Sequence, residues 1–252
     1  MMEFVKNSYF TNDYDPTDID SIFDYSTKLV GSSLSSVCHE DIKKSDPNYS
    51  LKSDIKKRSG RGFGTYLEKY FFGYDSNSST LPDFPDAELE LKSAGLRLKN
   101  KNYYSLYVKK EPRLTLSTIH NSEIIDEEFD SSSFYKKNKN LLIIFWLHDD
   151  LNTDQHPIDK EIISTFNYRL EGRDYEIIRK DWEHIRNRIR ECEAHNLRNR
   201  ETINLESCGG EGKANYYRDY SNKNNYCPIP AKKKRFAYTK DFWNQIIDSA
   251  VN

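Results

Sequence analysis

Asp83, Glu90 and Lys92 are the residues of this chain whose types and spacing suit chemistry on a phosphate. Read as a strand, Ala87-Glu88-Leu89-Glu90-Leu91-Lys92 alternates strictly, so Glu88, Glu90 and Lys92 share one face and Leu89 and Leu91 the other. Asp83 stands seven residues before Glu90, behind a turn bounded by Pro82 and Pro85 that can bring its carboxylate alongside. A hard divalent ion such as Mg²⁺ takes oxygen ligands, and one or two carboxylates with water and a phosphate form its usual protein site. A lysine two residues on would stand beside the attacking water, able to orient or deprotonate it and to steady extra charge on phosphorus. The motif alone is short: a solvent-facing edge strand carrying a surface ion pair explains it better.

Other chemistries find less support. Cys192-x-x-His195 with Cys208 and Cys227 has irregular spacing across loops, unlike a zinc site. Gly60-x-Gly62-x-Gly64 follows a basic loop instead of a strand, so it is neither a dinucleotide-binding nor a Walker loop. No Ser/His/Asp order suggests a nucleophilic hydrolase.

The elements around the motif follow from periodicity. Ile19, Ile22, Phe23, Ser26, Leu29 and Val30 recur at helical spacing, with Thr17 or Asp18 as cap and Gly31 as stop. A second helix is expected from Gly62 to Gly73, on the stripe Phe63, Leu67, Tyr70 and Phe71. Strands are expected at 87–92, 113–119, 141–148 and 161–170, the third so continuously apolar that it should be buried on both faces. The longest helix is expected from Asp174 to about Arg198, and 203–233 reads as loop because of its Gly, Asn and Pro. A last strand over Arg235–Tyr238 and a helix over Lys240–Ala250 complete an α/β mixed sheet flanked by helices. Residues 1–57 read as an N-terminal arm and helix packed on a main domain of 58–252.

The 252 residues are 36 % hydrophobic and 13 % aromatic, so rings must supply much of the core. No run approaches the ~18 apolar residues of a membrane span, and Met1-Met2-Glu3-Phe4 lacks the basic start of a signal peptide. Four scattered cysteines without C-x-x-C imply reduced thiols and a cytoplasmic protein. The net charge of −2 conceals polarity: residues 1–27 carry six acids against Lys6, and residues 212–240 carry eight Lys and Arg against Asp219. The basic end is a candidate phosphate-facing surface or a merely solvated one.

A longer ordered series carries a family resemblance. Arg61-Gly62-Phe63-Gly64-Thr65-Tyr66-Leu67-Glu68, Leu81-Pro82-Asp83, Glu90-Leu91-Lys92, Ser132-Ser133-Phe134 with Lys137-Asn138, Tyr175 to Glu183, Gly210–Asn215 and Lys234-Arg235-Phe236 together resemble the MutH family. That family comprises the mismatch-repair nicking enzyme and the Sau-type restriction endonucleases that cut at GATC, and the Sau-type branch is the more similar. The resemblance runs over roughly residues 58 to 242. It implies a restriction-endonuclease-like fold and a Mg²⁺-dependent type II site-specific deoxyribonuclease acting on double-stranded DNA in a restriction-modification system. The alternatives are a MutH-like mismatch-repair nickase and a non-catalytic DNA-binding copy of the fold.

Residue by residue, the resemblance makes Asp83 and Glu90 the metal-binding carboxylates and Lys92 the catalytic lysine. Glu68 matches a further acidic residue, and Lys137 a second lysine near the active centre, unless it is one of the surface lysines with Lys136 and Lys139. Glu88 has no counterpart. Lys213 aligns with a base-reading loop, where a lysine can donate to guanine. The run Lys232, Lys233, Lys234 and Arg235, with Arg218, is expected at phosphates, and Tyr216, Tyr217 and Tyr220 either pack on sugars or belong to the core. One site cuts one strand per engagement, so double-strand cleavage is expected to need a second copy on DNA or a missing C-terminal domain.

Overall fold

The apolar run expected as a central strand is one: β4 (Asn140–Leu147) is fully buried from Leu141 to Phe145. The computed structural model describes residues 14–38, 62–74, 81–100, 103–106, 114–148 and 155–251. The expected arm before residue 14, the turn at 46–48, Gly60, Arg61 and the loop at 75–80 lie outside the described residues. Contacts divide the chain into two compact units. One holds the described residues up to 106, residues 141–168 and residues 247–251; the other holds 114–140 and 169–246. Among the described residues no helix is long and apolar enough to cross a membrane.

The first unit is built on a mixed four-stranded sheet in the order β2-β1-β4-β5. β1 (Glu90–Asn100) runs parallel to β4 with Glu90 opposite Leu141, and antiparallel to β2 (Tyr103–Leu106); β5 (Ile162–Arg169) lies beyond β4. Gly95 pairs with Trp146 in this register, and a Cβ at Gly95 would come within 2.5 Å of the indole, so the close packing there requires glycine. α1 (Ile19–Thr27) starts where expected, its amides at Asp20 and Ser21 bonded to the Asp18 carboxylate. Ile22, Leu29, Leu34, Phe63, Leu67 and Phe84 join Leu142 and Ile144 in one core cluster.

The helix expected from Gly62 to Gly73 forms in two pieces. α3 (Gly62–Tyr66), which follows the short α2 (Leu34–Val37), widens into a π-helical turn over Leu67–Phe71. Phe72 N–H donates to Leu67 O at 2.9 Å, and Gly73 ends the element at φ 75°.

The expected strand at 87–92 starts later and runs further. Phe84 and Leu89 exchange backbone hydrogen bonds of 2.9 and 3.1 Å around a tight turn, in which Glu88 takes φ 50°. Turn residues do not alternate across a sheet, so Glu88 is an exposed turn residue and does not share the face of Glu90 and Lys92.

The second unit carries an antiparallel sheet, β3-β7-β6, of β3 (Thr115–Ile119), β7 (Ala231–Tyr238) and β6 (Leu205–Asn215). It also holds α4 (Asn121–Ile124), α5 (Ser133–Asn138), α6 (Gly172–Arg190) and most of α7 (Lys240–Val251). β6 corrects the loop expected over 203–233. Gly209, Gly210 and Gly212 take φ of 80°, 139° and 80°, and the ladder is irregular around Glu211, so the strand pairs through its backbone with no alternation to announce it. α6 stops at Arg190, short of the expected Arg198, because Cys192 turns left-handed (φ 63°) and Glu193 N–H folds back onto Arg188 O at 2.8 Å. Cys192 is joined to Cys227 by a disulfide, contrary to the expectation of reduced thiols; Cys38 and Cys208 are buried and form no disulfide.

Candidate active site and nucleic-acid surface

The proline-bounded turn does bring Asp83 to the start of β1: its Oδ2 accepts from Leu91 N–H at 3.0 Å. The two flanking residues supply the charged groups. Glu90 is 3 % exposed, and Lys92, two residues along the same face, places its Nζ 2.6 Å from Glu90 Oε1. Leu91, pointing the other way, is buried in the core and anchors the strand.

Glu68 lies on the π-helical turn, its Oε1 3.9 Å from where a Gly64 Cβ would be, with Ser93 Oγ of β1 3.7 Å from the same point. Tyr74 reports the shared field. Burial first, and then the charges of Asp83, Glu68, Tyr14 and Glu90, hold its phenol well above the usual tyrosine range. Asp83, Glu68 and Glu90 thus all act on the Tyr74 phenol, and Lys92 pairs with Glu90, all within the first unit.

Whether these residues suit a divalent cation turns on their donors. Among the described residues no three or more His, Cys, Asp or Glu side chains form a ready metal-holding group. Two hard carboxylates at the head of one strand match a cation that draws its remaining ligands from water and phosphate, which is the habit of Mg²⁺. Asp83 and Glu90 fit that role.

The expected nucleic-acid residues belong to the second unit, and so does Lys137, which was expected near the active centre. Lys137 is half-buried near the end of α5, beside Asn138, whose Nδ2 donates to Phe134 O at 2.8 Å. Lys213 is exposed on β6, and Lys232, Lys233 and Arg235 are exposed on β7. Lys234 departs from its neighbours. It is turned inward, donates to Leu197 O, and burial lowers its pKa. Arg218 is likewise engaged: it donates to Ser122 O at 2.8 Å and pairs with Asp126, which also holds Lys223 at 2.7 Å. The tyrosines divide as well. Tyr217 is buried, its hydroxyl accepting from Ala194 N–H at 3.0 Å; Tyr216 is exposed; Tyr220 lies under the Arg190 guanidinium at 4.3 Å.

Asp181, within the Tyr175–Glu183 stretch, has a structural role. Its buried carboxylate accepts from Ile203, Asn204 and Leu205 N–H at 3.1, 2.6 and 2.9 Å, fixing the entry to β6. An Asp on the apolar side of an amphipathic helix was the available signal.

The mixed sheet with helices packed on it, headed by Asp83, Glu90 and Lys92, defines a restriction-endonuclease-like domain. Residues 72–181 match the family model of the DNA mismatch repair enzyme MutH, and the chain belongs to the MutH family. It is 30 % identical over 196 residues to the type II restriction enzyme Sau3AI of Staphylococcus aureus, a match covering 77 % of this chain and 38 % of that enzyme.

Proposed function

We propose that this chain is a Mg²⁺-dependent, site-specific DNA endonuclease of restriction type that hydrolyses a phosphodiester within GATC. The observation that carries the reading is the convergence of Asp83 and Glu90 at the head of β1 with Lys92 in direct contact with Glu90. The similarity to a type II restriction enzyme supports it. Asp83 and Glu90 hold the cation, and Glu68 adds acidic charge to the same volume. The bound cation supplies Lewis acidity toward the phosphoryl oxygens and raises the acidity of water. Lys92 either orients the attacking water as an ammonium, facing the charge that grows on phosphorus as the new P–O bond forms and the ester bond breaks, or as the free amine takes the water's proton. On the second unit, Lys137 adds a further positive charge, Lys213 reads a base edge, and Lys232, Lys233 and Arg235 meet phosphates.

Incubation of the protein with unmethylated and adenine-methylated GATC duplexes in Mg²⁺ tests the reading. Cuts within GATC are expected, with Asp83→Ala and Glu90→Ala abolishing cleavage while selective binding in Ca²⁺ persists. Near-wild-type cutting by either variant refutes the site. Nicking restricted to one unmethylated strand replaces the restriction reading with a mismatch-repair one, and selective binding without any cut makes the chain a DNA-binding module. With one such site among the described residues, double-strand cleavage would draw on a second copy on DNA or a further domain, and sedimentation with and without a GATC duplex detects the former.

A further inference from the structure

The connection from β6 to β7 is itself a short hairpin. Arg218 and Tyr226 face each other in an antiparallel bridge, flanked by Cys227 N–H donating to Tyr217 O at 2.9 Å and Asp219 N–H to Asn225 O at 3.0 Å. Cross-strand partners share a side and neighbours along a strand alternate, so Tyr217 and Cys227 point one way and Tyr216, Arg218 and Tyr226 the other. The inner side is fixed to the second unit: Cys227 is bonded to Cys192, and the Tyr217 hydroxyl accepts from Ala194 N–H. The outer side faces solvent. Tyr216 is 62 % and Tyr226 68 % exposed, and Arg218 on the same side is held by Ser122 O and Asp126.

Two large rings left in water on a braced hairpin mark a contact surface, and the adjoining residues say what meets it. Tyr216 lines a recess of about 250 Å³ with Asn215 of β6 and Lys233 of β7, walled on the other side by His120, Ser122 and Glu123. Glu123 on that wall is met by His120 at 4.0 Å, while Lys233 is exposed. Lys213, also exposed, stands three residues before Tyr216, about 10 Å along an extended chain or about three base pairs of duplex. We propose that the outer side of this hairpin is a DNA contact: Tyr216 and Tyr226 pack their rings on deoxyribose beside the bases that Lys213 reads, lengthening the footprint without reading sequence. The inference rests on the reading of β6 and β7 as the nucleic-acid surface.

The test is fluorescence anisotropy of the full chain on labelled GATC and non-GATC duplexes in Ca²⁺, over a range of salt. Tyr216→Ser with Tyr226→Ser is expected to weaken both complexes alike, about 10-fold or more, with the melting temperature unchanged. The salt slope should stay as it is, because a phenol displaces no counterion. Tyr216→Phe with Tyr226→Phe keeps the rings and should bind within about twofold of wild type. Ile203→Ser, which removes a side chain 69 % exposed before the opposite end of β6 from Lys213, should leave binding unchanged. A double serine variant within about twofold of wild type, or a loss that Ile203→Ser matches, overturns the hairpin contact. A wild-type dimer without DNA that the double serine variant dissolves gives the face to a second copy and overturns it too. Wild-type protein that binds neither duplex overturns the nucleic-acid reading of β6 and β7 itself.

Discussion

Replacing Lys92 with Ala should cost stability as well as catalysis, and the structure sets the scale. The side chains of Lys92 and Glu90 are 15 % and 4 % exposed and stand 2.6 Å apart. Removing one partner of a buried pair costs about 3–5 kcal/mol. The loss has a ceiling, because the stranded carboxyl can instead take up a proton, which at pH 7 costs a carboxyl of ordinary pKa about 3.7 kcal/mol. With Lys92 partly in water, about 2–4 kcal/mol is expected, a fall in Tm of roughly 5–15 °C for a chain of this size.

In the variant the carboxyl ionises less readily folded than unfolded, so the penalty is present at neutral pH and fades as pH falls toward about 4.3. Ca²⁺ replaces the missing positive charge and should raise the variant's Tm more than the wild type's. Thermal melts at pH 7 and pH 5, in chelator and in Ca²⁺, measure all three effects. Cleavage should fall by about 10² or more. A variant melting within about 1 °C of wild type at pH 7 in chelator would show that the Lys92–Glu90 pair does not hold the head of β1.

The basic residues of β6 and β7 should separate by salt. Lys232→Ala with Lys233→Ala is expected to flatten the salt dependence of DNA binding by about two units, whereas Lys234→Ala leaves the slope unchanged and lowers the melting temperature, since its amine serves Leu197 O. Lys213→Ala should narrow the gap between cognate and non-cognate sites by about 1–3 kcal/mol; equal losses at both kinds of site would remove it from base reading. Reducing the Cys192–Cys227 bridge, or Cys227→Ser, should cost about 2–4 kcal/mol of stability, seen as a denaturant midpoint that drops with reductant. A midpoint indifferent to reductant would mean the crosslink does not form.

What the sequence determined by itself is what local rules govern. Apolar periodicity placed α1 and β4, Thr17 or Asp18 offered the cap, Gly73 marked the stop, and two prolines around Asp83 announced the turn that brings it to β1. Each of these depends on residues a few positions apart, whose side-chain period or backbone preference is written in the chain. The tertiary structure decided what depends on partners far away in sequence. Glu88 left the strand face because Phe84 and Leu89 closed a turn around it, and β6 formed through backbone pairing with β7 despite its three left-handed glycines. Lys234 and Arg218 look from the sequence like free cations; Leu197 and Asp126 engage them, and Cys192 finds Cys227 across 35 residues. A hydrogen bond or a disulfide between distant residues leaves no periodic trace in either segment, so only the fold could reveal which charges stay exposed and which hold the protein together.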